Sequence, residues 1–439
     1  MHTYRVLTAA AVGGILASSA LGAGDPTVEA LQQRVTDMER TIRTLERQVA
    51  PDAPLSEARA AEVRALVADL VSDADQRATF QGSGSTSGFD GGFFIASPDG
   101  NFKLKMNGQI QIRYVWTSQD DSPTDDHRAG FENRRTKLKF KGHVVDPTWE
   151  YGITMAFSNS DGAAGLEDAF IMKDLENGWT IKVGQFKLPF LREELVSSSA
   201  QQAVERSLVN ERFNQDFAQG IELGWEANDQ WHFAFDFSDG FGSRNTRAAS
   251  ANTTDTEYAF TARAEYLASG SWKQFKDLSA ARGQETGVLL GAAAHYQKDD
   301  FGNSAGPEVE RFTWTVDASA EFDGWNLFGY VVGNHLSADG AADSDQFGVV
   351  VQGGVYLSEA LEVFARYEWG DDDSSADDLS VITVGLNQHY NTYLKASVDF
   401  GYALNEVTGS WDSDSAGWRT DGAGQDGQFV ARAQIQLLF

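Results

Sequence analysis

The chain has no cysteine, so no disulfide staples it; export and a cytosolic life both remain compatible with that absence. Basic residues are scarce. The 35 Lys and Arg stand against 64 Asp and Glu, a formal charge of −29 that argues against nucleic acid and anionic membrane surfaces as general partners. Past the first two dozen residues there is no apolar run long enough to cross a bilayer as a helix, and mean hydropathy is below zero, which argues against a helical membrane protein. A β-barrel escapes that test, because only alternate residues meet lipid. The histidines (His2, His127, His143, His232, His295, His335 and His389) show neither metal-binding spacing nor a nucleophile motif. No catalytic residue, cofactor or metal ligand is expected.

What is present is alternation. From Phe429 to Phe439 the apolar residues Phe429, Ala431, Ala433, Ile435, Leu437 and Phe439 fall on every second position, with Val430, Arg432, Gln434, Gln436 and Leu438 between them. Period two with a mostly polar opposite face marks a strand with one apolar side. The same pattern recurs along the chain. In the first strand Phe102, Leu104, Met106, Ile110, Ile112, Tyr114 and Trp116 share one face, and Lys103, Lys105, Asn107, Gln109, Gln111 and Arg113 the other. A second, near 134–144, puts Leu138, Phe140 and Val144 out and Arg135, Lys137, Lys139, Lys141 and His143 in. Further strands are expected at 148–158, 166–174, 178–184, 217–227, 230–238, 256–267, 286–297, 309–323, 325–334, 345–357, 360–370, 379–389 and 391–402. With the terminal strand this makes about sixteen, with fourteen and eighteen as alternatives. The fold class expected is an all-β transmembrane antiparallel barrel at 101–439.

Connection lengths fit. Those after odd-numbered strands are mostly long and acidic (117–130, 185–216, 371–378, 403–426); those after even-numbered strands are mostly tight. The connection at 268–285 breaks this rule. Trp149, Trp179, Trp225, Trp231 and Trp325 sit beside tight turns, where an aromatic girdle is expected. Barrels of this class place short turns and both termini in the periplasm.

Ahead of the barrel, 1–23 read as a signal peptide, with Arg5 before an apolar stretch and small residues at Ser18–Ala23. Residues 25–50 carry Val28, Leu31, Val35, Met38, Ile42, Leu45 and Val49 in steps of three and four, the spacing of an N-terminal α-helical coiled coil of roughly 30 Å. A second helix is expected at 51–79 and a Gly/Ser-rich linker at 80–100.

Three stretches resemble the phosphate-selective porin O and P family: Gly92-Phe-Phe-Ile-Ala-Ser-Pro-Asp-Gly; Arg134-Arg135 with Lys139-Phe-Lys-Gly-His; and Gly184-Gln-Phe-Lys-Leu-Pro-Phe followed by Glu193, Glu194 and Ser197. The similarity runs from about Phe93 to the C-terminus. It implies sixteen-stranded homotrimers whose lumen is narrowed by an infolded loop and lined by arginines and lysines that pass anions. The helical N-terminal region is longer than that family's short extension.

The strongest candidate site is a basic ladder on the inward face: Lys103, Lys105, Arg113, Arg135, Lys137, Lys139, Lys141 and Lys182. Like charges about 5 Å apart on paired strands repel, and selecting anions is a reason to keep them. The alternative is a solvated wall whose lysines pair with acids such as Glu150 and Glu222. The second candidate is the long loop after the fifth strand, with Lys187, Arg192, Arg206 and Arg212 beside Glu193, Glu194, Glu205 and Glu211. Inward Asp236, Glu265, Asp317, Glu321, Glu362, Glu368 and Asp399 weigh against strict phosphate selectivity. The acidic runs at 371–378 and Asp120-Asp121 with Asp125-Asp126 lack calcium-loop spacing and read as solvated outer loops; an acidic rim bridging through divalent ions to lipopolysaccharide is a further hypothesis. The expectation is an outer-membrane porin passing small hydrophilic solutes, leaning to anions. The rivals are a plugged barrel anchoring the coil and an outer-membrane hydrolase.

Overall fold

The computed structural model describes residues 85–120, 127–247, 256–299, 308–375, 377–407, 410–411, 413–419 and 427–439. All lie in the second of two units, 83–439. The expected signal peptide, coiled coil, second helix and the start of the linker fall outside the described residues.

A short hairpin, β1 (Thr86–Phe89) and β2 (Phe93–Ala96), comes first. Then follow β3 (Lys103–Ser118), β4 (His127–His143), β5 (Trp149–Phe157), β6 (Ala164–Asp174), β7 (Trp179–Lys187), β8 (Phe217–Glu226), β9 (Trp231–Ser238) and β10 (Thr256–Ser269). The second half comprises β11 (Gly287–Asp299), β12 (Val309–Phe322), β13 (Trp325–Ala338), β14 (Ser344–Tyr356), β15 (Leu361–Asp371), β16 (Leu379–His389), β17 (Leu394–Ala403) and β18 (Phe429–Leu438). Two short helices, α1 (Arg192–Leu195) and α2 (Leu208–Phe213), lie between β7 and β8.

Each of β3–β18 pairs antiparallel with the next, and β18 returns to β3, from Phe429↔Ser118 to Leu438↔Gln109. The sixteen strands expected from alternation are these sixteen. Closure removes the free edges that an open sheet would expose. At the seam the final residue is part of the ladder: Gly108 N–H donates to the Phe439 carbonyl at 2.6 Å and Phe439 N–H to that of Gly108 at 3.1 Å. Gly108 leaves room for the Phe439 ring, which a Cβ would meet at 2.1 Å and displace.

Two expectations change. Residues 86–96, placed within a linker by their glycines and serines, form the β1–β2 hairpin; β2 pairs with β3 at 103–106, the edge left open where β18 ends. Partner availability outweighs weak local propensity. The second barrel strand begins at His127 rather than near 134, because pairing with Thr117 and Ser118 extends it upward.

The outward face carries the girdle. Trp149, Trp179, Trp225, Trp231 and Trp325 are all exposed, at the tight-turn end of their strands. The main apolar core lies inside the barrel. Phe190, Leu191, Leu208, Val209 and Phe213 of the β7–β8 connection pack on Phe328, Tyr330, Val332, Val350 and Val381 of the wall.

Candidate functional site: an off-centre basic passage

The ladder is inward as its parity requires. Register sets Lys105 opposite Lys141, Asn107 opposite Lys139, Gln109 opposite Lys137 and Gln111 opposite Arg135. Lys137 meets Glu167 at 2.7 Å and Lys182 meets Glu222 at 2.5 Å. Lys103 and Lys105 stand 3.7 and 3.8 Å from Asp90, in the turn of the β1–β2 hairpin. Lys139 and Lys141 have no carboxylate within 4.0 Å among the described residues. The ladder is therefore partly paired, as the solvated-wall alternative holds, and partly open.

Two bulges re-aim side chains into this region, a known use of the device. Between Gln111 and Ile112 the partner strand steps from Arg135 to Asn133, leaving Arg134 as the extra residue. Between Thr154 and Met155 it steps from Asp168 to Leu166, leaving Glu167. Glu167 holds Lys137. Arg134 joins a cluster that sequence parity did not contain: Glu205 of the loop accepts from Arg113 at 2.6 Å, from Arg134 at 2.8 and 3.1 Å and from Arg135 at 2.6 Å. Arg113 also meets Glu132 at 2.8 Å. Arg134 stood in the sequence reading only within the family resemblance and Glu205 only among the loop's acids; neither was placed with the ladder. Two consecutive arginines in an alternating strand were the available signal for the first.

The loop is strapped to the opposite wall. Val204 N–H donates to Asp399 at 2.8 Å and Leu208 N–H to Glu368 at 2.6 Å. Gln202 donates to Glu362 at 2.7 Å, and Lys395 to the Gln201 carbonyl at 2.8 Å. Arg366 donates to the Glu205 carbonyl at 2.9 Å. Ser207 caps α2 through Asn210 N–H at 2.9 Å. Most of the inward acids are thereby occupied: Asp317 and Glu265 by Arg263, Glu368 by Arg366, Asp399 by Arg432 at 2.7 Å, and Glu362 by Gln202 and Asn387.

Two of the loop's own cations hold the loop together and two tie it to the other inward connections. Lys187 pairs with Glu194. Arg192 donates to the Phe275 carbonyl. Arg206 donates to the carbonyls of Glu193 and Val196 at 3.1 and 2.9 Å. Arg212 donates to the Ser410 carbonyl at 3.0 Å and lies over Trp411. These four side chains are committed to internal contacts. Burial raises the Glu194 carboxyl, but Arg206 and Lys187 outweigh it and hold the group down at about 2. Glu205 is likewise held well below the carboxylate range by the three arginines despite its burial. Glu211 has too little compensation: burial, with Glu205 and Glu194 nearby, pushes it up to about 7.

Two further connections fold inward. The one at 270–286 buries Phe275, Leu278 and Ala280, and Leu278 N–H donates to the Ala200 carbonyl at 3.2 Å, so the exception in connection length buttresses the loop. From the β17–β18 connection, Val407, Trp411, Ala416 and Trp418 join the inner core.

The result is an asymmetric lumen. Inward residues of β11–β18 are buried almost throughout, whereas Lys141 and Glu150 are exposed and Lys137, Lys139, Phe170, Met172 and Lys182 only half-buried. The accessible face runs along β4–β7 and opens, at the long-loop end, into a cavity of about 440 Å³ lined by Arg134, Arg135, Lys137, Glu167 and Arg244.

Solved structures share this architecture. An anion-selective porin from Comamonas acidovorans aligns with TM-score 0.54 and 14% identity, over 77% of this chain and 100% of that one. A loop L8 deletion mutant of OmpT, an outer membrane protein of Vibrio cholerae, gives 0.52 and 12% over 77% and 100%. The outer membrane channel DcaP of Acinetobacter baumannii gives 0.51 and 11% over 80% and 100%. At these identities the likeness is one of fold. No curated protein matches the sequence. Residues 104–309 match the sequence model described as phosphate-selective porin O and P, so that segment is similar to this family.

Proposed function

We propose that the protein is an outer-membrane porin through which small hydrophilic solutes diffuse passively, with a preference for anions. The observation that carries this reading is the lumen's asymmetry. The half that holds Asp317, Glu362, Glu368 and Asp399 is buried, while the half that stays accessible carries Lys137, Lys139, Lys141 and Lys182. Cationic side chains along a pore select anions. The family match and the porin and channel folds among the structural neighbours support the same reading. The accessible face also carries Glu150, Glu167 and Glu222, so the preference is moderate rather than strict.

In this reading the barrels form a homotrimer, long connections face outward, and the N-terminal segment extends into the periplasm as a coiled coil that shares the threefold axis. Diffusion requires no turnover, and no residue is assigned a catalytic role. The test is the zero-current potential of purified protein in a planar bilayer across a KCl gradient. An anion-signed potential is expected; a cation-signed one overturns the preference. Absence of channels favours the second reading, a barrel closed by its inner core and serving as an anchor.

A further inference from the structure

One level of the accessible wall is unusual. Register aligns Lys141, Gly152, Phe170, Gly184 and Gly220 across β4–β8. Three of these five inward positions are glycine, so the wall recedes there and Phe170 is the one bulky apolar group in the row. Its ring lies over Gly152, where a Cβ would approach it to 2.5 Å. Lys182 Nζ stands 5.8 Å from the ring centroid, and Lys141 is the register partner of Gly152. Phe186 backs the ring from β7. Phe170 itself is half-buried. An aromatic face left open on a channel wall gives nothing to phosphate or chloride. It is complementary to a solute with a flat apolar part, whose anionic group the flanking ammonium groups then hold.

We propose that the Phe170 recess is a docking site for planar organic anions, aromatic carboxylates above all, and that it sets which anions the passage favours. This rests on the porin reading and names its substrate class. The ring's apolar surface is covered as the solute passes, while Lys141, which has no carboxylate partner among the described residues, holds the carboxylate and Lys182, paired with Glu222 at 2.5 Å, flanks it. The site is weak by design of its surroundings: it is open on the lumen side, so the solute can leave.

The experiment measures chloride current through single channels in symmetric KCl at neutral pH, titrated with benzoate, acetate and inorganic phosphate. Benzoate is expected to reduce the current at about tenfold lower concentration than acetate or phosphate. Phe170→Ala should abolish that preference while channels still open. Phe170→Leu, which keeps the volume but not the flat face, should remove most of it. Lys182→Gln should weaken block by all three anions. Equal block by benzoate and acetate, or a preference that survives both Phe170 variants, overturns the proposal and leaves the porin reading intact. If no channel forms, both fall.

Discussion

At the scale of single residues, Glu205 has the largest leverage. Its carboxylate pairs with three guanidinium groups that β3 and β4 bring to one point. Removing it leaves buried charge uncompensated, which costs about 3–5 kcal/mol. Glu205→Gln should therefore lower the thermal unfolding midpoint and, in channels that do form, move the zero-current potential further toward anions. An unchanged potential would mean that Arg113, Arg134 and Arg135 do not face the permeating ion. Glu211 predicts a pH effect of definite sign. Its carboxyl is raised to about 7 in the folded chain. As pH rises above the ordinary carboxyl range the unfolded chain ionises this group while the folded one keeps its proton. Stability is thus lost from that range up to about 7 and stays reduced above it. Glu211→Gln should raise the unfolding midpoint at pH 8 and change it little at pH 5; equal effects at both would place the proton elsewhere.

At the scale of elements, strands were legible and what fills the lumen was not. Alternation is a property of each strand alone, so β3 to β18 could be located from Leu104, Trp149 or Ile435 without knowing their partners. Infolding depends on where a connection finds complementary groups. Nothing in the spacing of Phe275 and Leu278 announces that Asn326 will donate to the Leu278 carbonyl or Arg192 to that of Phe275. The same holds for Trp411 and Trp418, whose presence in an acidic connection was the only hint of burial. A bulge is an exception to parity, and so the positions that Arg134 and Glu167 take could not be read from alternation. That the loop's arginines are spent on backbone carbonyls, its own and those of the neighbouring connections, follows only from the fold. Replacing 271–285 by a tight turn tests the buttress. It forfeits about 2 kcal/mol for each of Phe275 and Leu278 and should raise single-channel conductance, since Ala200 and Arg192 lose their partners. Unaltered conductance would show that the loop holds its position unaided.

At the scale of the whole molecule, the seam decides whether a barrel exists. Deleting Phe439 removes both hydrogen bonds to Gly108, and Gly108→Val forces the ring away. Both changes should reduce the fraction that migrates as heat-resistant folded protein on unheated gels, the valine at least as severely as the deletion. The strap adds a condition of its own. Ser198 accepts from Gln111 of β3 at 3.2 Å and Ser199 from Gln436 of β18 at 3.0 Å. Neighbouring loop residues thus hold the first and the last barrel strand together from inside, more than 300 positions apart in sequence. Until both strands have arrived, the Ser198 and Ser199 carbonyls lack these two glutamine donors. Closure and the interior are thereby coupled: a chain lacking β18 would leave the Ser199 carbonyl without its Gln436 donor and the inner core without Val430.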